Sequence, residues 1–263
     1  MAIIEIKHLV KKFKHFTAVD DLSLNVKKGD IFAFLGPNGA GKTTTIKMLT
    51  TILNPTSGSI KINNYNIKDN VQKIRESFGI MFQDPTLEDE LTALENMKLH
   101  AYMYNIKNKD IYERSKQFLE FVDLWDKRDV SVKHFSIGMK RRLEIARSFM
   151  HKPKILFLDE PTNGLDTQTR NHIWKYIKEI TTKDKVTVFF TTHYLEEAEK
   201  VSDKIAIIDH GKLILLGTLK EIKDKTKSKT LEEAFLKSTG RNIRDENEDG
   251  ETSRIRRKYF ISK

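Results

Sequence analysis

Residues 31–43 read Ile31-Phe-Ala-Phe-Leu35-Gly36-Pro37-Asn38-Gly39-Ala40-Gly41-Lys42-Thr43. An unbroken apolar run suits a strand buried on both faces. The glycine-rich stretch that follows matches G-x-x-x-x-G-K-[ST], and residues 42–53 continue with helical character. A strand, a glycine loop and a helix in this order let successive backbone N–H groups face one centre, where the helix N-terminus adds partial positive charge. The unit predicts a cradle for nucleotide phosphates, made by Gly36, Pro37, Asn38, Gly39, Ala40, Gly41, Lys42, Thr43 and Thr44. Within it Lys42 is expected to reach the β- and γ-phosphates, and the Thr43 hydroxyl to ligate Mg²⁺.

A second element is independent of the first. Ile155-Leu-Phe-Leu-Asp159-Glu160 is an apolar strand ending in two carboxylates. Asp159, beside a phosphate loop, suits the holding of Mg²⁺, and Glu160 is placed to polarise an attacking water. The pair favours hydrolysis over binding alone.

Outward from these two elements, Ile4 and Ile6, then Leu22, Leu24 and Val26, alternate with polar residues and predict strands of a half-buried antiparallel sheet. Ile60 and Ile62 resume that sheet. Leu94, Met97, Ala101 and Tyr104, then Ile111, Phe118, Val122 and Trp125, keep helical spacing, and a further helix is expected over 136–150. The pattern then returns to strands at 155–158, 186–191 and 205–208, alternating with helices at 170–181 and 194–201 and closed by a hairpin through His210-Gly211. Such alternation implies a parallel sheet. Residues 224–229 read as a linker, and Thr230 with Glu233 as a capping box for a last helix near Gly240. The charged residues 241–263 read as mostly disordered.

Composition narrows the classes. The chain has 263 residues and a formal net charge of +10, from 47 Lys and Arg against 37 Asp and Glu. No apolar run approaches the ~20 residues of a membrane-spanning helix, and the N-terminus has no signal-like pattern, so the chain is expected in the cytosol. The absence of cysteine excludes disulfides, thiolate metal sites and cysteine nucleophiles. The basic run Lys140-Arg141-Arg142 reads as a solvated helix face.

Between the loop and the carboxylate strand lies Phe135-Ser136-Ile137-Gly138-Met139-Lys140-Arg141-Arg142-Leu143. Here the sequence resembles the ATP-binding cassette (ABC) family, whose signature reads L-S-G-G-Q or, in many export-type members, S-G-G-M followed by basic residues. The order agrees as well: phosphate loop, Gln83, signature, Asp159-Glu160, Asn163-Gly164-Leu165-Asp166, then Thr191-Thr192-His193. The resemblance spans about residues 3–240.

It implies an α/β fold: a P-loop core with a mostly parallel sheet, an antiparallel β subdomain and a helical subdomain inserted at about 84–150. The cassette would occupy 1–223, with a linker and C-terminal helix at 224–240 and a charged tail at 241–263. It also implies roles for single residues. Phe13 would stack on adenine, Gln83 would sense Mg²⁺ and the γ-phosphate and link the core to the helical unit, and His193 would contact that phosphate. Ser136 and Gly138 would face ATP bound to an opposite protomer, and Asp166 would couple the two sites. Ile137 departs from the pattern, standing where the first signature glycine is usual. The implied activity is ATP hydrolysis powering transport, with a leaning to export, through a permease on a separate chain at the cytoplasmic face of the membrane. Two ATPase chains, alike or different, would close on ATP. The alternative is an ATPase of the same architecture acting on nucleic acid or ribosomes. Those relatives usually have paired cassettes, coiled-coil arms or zinc-binding cysteines, which this chain lacks.

Overall fold

The computed structural model describes residues 1–240. Strands β1 (Ala2–Phe13) and β2 (Phe16–Lys27) form an antiparallel hairpin in which Ile4 lies opposite Val26 and Ile6 opposite Leu24. Strand β3 (Ile31–Leu35) is buried along its whole length. Helix α1 (Lys42–Leu49) is shorter than its pattern suggests, because Thr51 adopts a left-handed φ of 64° that no helix can carry forward. β4 (Ser57–Ile62) returns to pair with β1, and β5 (Tyr65–Asn66) follows a tight turn whose residues Asn63 and Asn64 both have positive φ, a conformation asparagine tolerates. Helix α2 (Val71–Ser77) and the four-residue strand β6 (Phe78–Met81) have no counterpart in the sequence reading.

Three helices come next: α3 (Ala93–Met103), opened by a Thr92–Glu95 capping box, α4 (Asn108–Phe121) and α5 (Ile137–Ser148). Leu94, Met97, Ala101, Ile111, Val122 and Leu143 close a separate core among them. β7 (Ile155–Asp159), α6 (Thr167–Asp184), β8 (Thr187–Thr192), α7 (Leu195–Val201), β9 (Lys204–Asp209) and β10 (Lys212–Gly217) complete the alternating part. The chain closes with α8 (Leu219–Thr226) and α9 (Leu231–Thr239).

The main sheet has the order β10-β9-β3-β8-β7-β6, parallel except for β10, and the smaller antiparallel sheet the order β2-β1-β4-β5. Side chains of period two divide the core. Phe32, Phe34, Phe157 and Phe189 face the small sheet. Ala33, Leu35, Leu156, Leu158, Val188 and Phe190 face the layer of Ile173 and Ile177 of α6, Ala198 of α7 and Phe235 of α9.

Residues 224–226, read from sequence as linker, belong to α8. Ile222 is buried, and the Thr218–Glu221 pair forms a capping box that starts the helix. Thr230 caps α9 through the Glu233 N–H at 3.1 Å, but the Glu233 carboxylate accepts from Lys229 N–H at 2.7 Å, so the reciprocal bond of a box is missing. The tail reading of 241–263 lies outside the described residues. Among the described residues no helix is long and apolar enough to cross a membrane.

Candidate nucleotide site

The carboxyl ends of three adjacent parallel strands define the site, where open α/β sheets place their ligands. Leu35 lies opposite Thr192 across β3 and β8, and Asp159 opposite Thr191 across β7 and β8. The loop after β3 packs so closely that two glycines are obligatory. A Cβ on Gly36 would lie 2.5 Å from the Ile208 carbonyl oxygen, and one on Gly41, at φ +103°, 2.4 Å from that of Ala18. Ala40 accepts from the Gly211 N–H at 3.0 Å, and the Gly211 carbonyl accepts from Asp20 N–H at 2.9 Å. The β9–β10 turn thereby ties the loop to the small sheet.

α1 begins at Gly41 with no side-chain cap and no acid in its first turn, so its N-terminal N–H groups and dipole are left for an anion. Lys42, only 5 % exposed, donates to the Gly36 carbonyl at 2.8 Å and the Pro37 carbonyl at 3.2 Å. Its ammonium also lies 3.1 Å from Oε1 of Glu160.

Glu160 is 6 % exposed and adopts a left-handed φ of 50°. Its N–H donates to the Thr191 hydroxyl at 2.9 Å, and that hydroxyl donates to Asp159 Oδ1 at 2.6 Å. Oε2 of Glu160 sits 3.2 Å from Nδ1 of His193. Burial alone would push this carboxyl up, but His193 and Lys42 outweigh it and hold it down at about 2. Asp159 is moved the other way: burial pushes it up, against the pull of the Thr191 and Thr43 hydroxyls. Its buried Oδ2 has no hydrogen-bond partner among the described residues. A buried carboxylate oxygen left without a donor, next to a threonine hydroxyl, is a donor set for a hard cation.

The structure thus brings together the loop from Gly36 to Thr44, Asp159, Glu160 and His193. Ser136 and Gly138 stand in a different corner. Ser136 caps α5 by accepting from Met139 N–H at 3.2 Å, and a Cβ on Gly138 would lie 3.0 Å from Cγ2 of Thr169. Thr169 N–H donates to Asp166 at 2.9 Å, so Asp166 is the cap of α6. Ile137 is 60 % exposed and does not fill this corner. Gln83 is exposed two residues beyond β6. Phe13 is half-buried and stacked on Phe16 at 5.2 Å.

The solvated-face reading of Lys140, Arg141 and Arg142 is wrong. Arg141 is buried and donates to the Phe82 carbonyl at 2.8 Å, Arg142 donates to that of Val122 at 2.9 Å, and Lys140 reaches Asp89 at 2.7 Å. A basic run suggests solvent because lysine and arginine are seldom buried, but each here finds a carbonyl or carboxylate across the helical unit. Thr191, whose hydroxyl accepts from the Glu160 N–H and donates to the Asp159 carboxylate, was also missed. Its position in β8 opposite Asp159 is a matter of register, which the chain order does not reveal.

A phosphate loop on a central parallel strand, with two carboxylates ending a nearby strand, defines a P-loop nucleoside triphosphatase. The chain belongs to the ABC transporter family, whose model matches residues 19–163. It is an ATP-binding subunit of that family and an ATPase. The linearmycin resistance ATP-binding protein LnrL of Bacillus subtilis (strain 168) is 39% identical over 216 residues, which cover 82% of this chain and 69% of that protein. The daunorubicin/doxorubicin resistance ATP-binding protein DrrA of Streptomyces peucetius is 39% identical over 228 residues, covering 87% and 69%. Among solved structures, an ATP-binding subunit of an ABC transporter superposes with TM-score 0.82 at 29% identity, over 90% of this chain and 99% of that one. A dimeric ATP-binding cassette in a post-hydrolysis state, bound to ADP and Pi, does so with TM-score 0.75 at 28% identity, over 82% and 98%.

Proposed function

We propose that this ATPase hydrolyses Mg²⁺-bound ATP between two cassette chains and so drives export through a separate membrane permease, docked at the cytoplasmic face. The observation that carries the chemistry is Glu160 held between Lys42 and His193, beside the unpartnered Oδ2 of Asp159. Thr43, Gln83 and Asp159 would hold Mg²⁺, which supplies charge neutralisation on the β- and γ-phosphates. Among the described residues there is no cluster of three or more His, Asp or Glu fit to hold a metal, which suits a cation taking most of its ligands from phosphate and water.

In this reading the γ-phosphate takes over the Lys42 ammonium, and Glu160 keeps His193 as its remaining partner. Freed from the lysine, the carboxylate becomes a stronger base. It accepts a proton from water as the water oxygen bonds to the γ-phosphorus and the bond to the β-phosphate oxygen breaks, leaving ADP and phosphate. His193 contacts the γ-phosphate, and Phe13 stacks on adenine. Ser136 and Gly138, at the N-terminus of α5, face the ATP of the second chain, with Asp166 joining the two sites. The dimeric cassette among the structural neighbours and the resistance proteins among the relatives support this arrangement. No nucleic-acid partner enters it, since the basic run on α5 is engaged within the fold.

The test is steady-state ATPase activity and MgATP-dependent assembly of the full chain beside Glu160→Gln, followed by size-exclusion chromatography. An active wild type and an inactive variant trapped as an ATP dimer are expected. A Glu160→Gln chain that still hydrolyses ATP at the wild-type rate sinks the assignment of the base.

A further inference from the structure

Residues 82–91 join β6 to α3 without regular secondary structure. The first half of this segment is gripped from α5. Nη1 of Arg141 donates to the Phe82 carbonyl at 2.8 Å, and Nη2 to the Gln83 carbonyl. Glu144 Oε1 accepts from Thr86 N–H at 2.9 Å. Arg147 donates to the Thr86 carbonyl at 2.7 Å and to its hydroxyl. The grip is internally braced, with Arg141 Nη1 3.1 Å from Glu144 Oε2, and both residues are withdrawn from water at 4 % and 0 % exposure. The second half is bound to the helical unit: Glu88 N–H donates to Asn96 at 2.9 Å, and Asp89 takes Lys140 at 2.7 Å.

A buried ion pair contributes little net stability, because desolvation cancels most of the attraction. An arginine fork, in contrast, fixes the geometry of what it holds. Here it holds the two successive carbonyls that flank the Gln83 α-carbon, those of Phe82 and Gln83, while the Gln83 residue itself stands exposed.

We infer that Arg141, braced by Glu144 and Arg147, is a positioning residue for Gln83: it locks the backbone of residues 82–86 to the helix that begins at Ser136, so that Gln83 and Ser136 move as one body. The inference rests on the reading of Gln83 as a Mg²⁺-facing residue given above. Its mechanical content is that any displacement of Gln83 toward the metal is passed to the N-terminus of α5 through side chains rather than through the 52 intervening residues of chain.

The test uses the full chain, a fluorescent ATP analogue and a Mg²⁺ titration starting from EDTA. Arg141→Lys keeps the charge and loses the fork. It is expected to bind the analogue in EDTA within about twofold of wild type but to need about tenfold more Mg²⁺ for the half-maximal response. Gln83→Ala should shift the midpoint similarly, and the double variant no further. A merely structural arginine would weaken the binding in EDTA as much as the Mg²⁺ response. An unmoved midpoint in Arg141→Lys beside a moved one in Gln83→Ala, or additive shifts, overturns this inference alone. An unmoved midpoint in Gln83→Ala overturns the reading of Gln83 and this inference with it. Should Arg141→Lys fail to fold, the near-isosteric Glu144→Gln carries the same comparison.

Discussion

Oε1 of Glu160 lies 3.1 Å from the Lys42 ammonium, and both side chains are buried. The residue proposed to take a proton is therefore paired to the residue proposed to take a phosphate. On that proposal the two functions share one charge, which nucleotide binding would re-divide.

That pairing has a pH signature. The Glu160 carboxyl is depressed from 4.5 to about 2, so its contribution to stability is complete above its unfolded value and is lost as pH falls toward the folded one. In urea titrations, wild type should exceed Glu160→Gln by on the order of 2 kcal/mol near pH 7, with the gap shrinking below about pH 4.5. A gap that widens on acidification would mean that Lys42 and His193 do not hold this carboxylate.

Thr191 tests the floor of the site. Thr191→Val keeps the shape while removing the donor to Asp159 and leaving the Glu160 N–H only the Thr191 carbonyl, at 3.2 Å, as acceptor. A loss of about 1–3 kcal/mol in urea denaturation is expected, with kcat lowered at least about tenfold and Thr191→Ser near wild type. Equal activity of the valine variant would show that neither carboxylate depends on the hydroxyl.

Much of this architecture was legible beforehand. The apolar run of Ile31–Leu35, the loop after it and the run ending at Asp159 announce themselves because a two-sided buried strand needs no partner to be recognised. β6 was not, since Phe78–Met81 is a four-residue strand at the sheet's edge, contributing Phe78 and Met81 to opposite faces. The missing parts of the site, Thr191 and Arg141, owe their roles to what lies across a strand or a loop. Thr191 is 32 residues from Asp159, and Arg141 is 59 from Phe82. Local pattern carries no trace of either pairing.

Gly41 sets the loop's tolerance. With φ at +103° and the Ala18 carbonyl 2.4 Å from an added Cβ, Gly41→Ala should lower stability by about 1–3 kcal/mol and abolish binding of a fluorescent ATP analogue. Retained binding would mean that the loop can shift away from β2 without losing its cradle.

Ile137 offers a contrast. Its side chain is mostly in solvent at the first turn of α5, so Ile137→Gly should cost no more than about 1 kcal/mol in thermal or urea unfolding. ATPase activity is expected to stay level or rise. A clear loss of turnover would mark the isoleucine as adapted to its corner.

The turn at Gly211 bears on affinity as well as shape. By accepting from Asp20 and donating to Ala40, one glycine residue pins the phosphate loop from behind. The conformational entropy of ordering the loop is therefore surrendered when the protein folds rather than when nucleotide arrives, and association is spared a cost that a floppy loop would impose at every encounter.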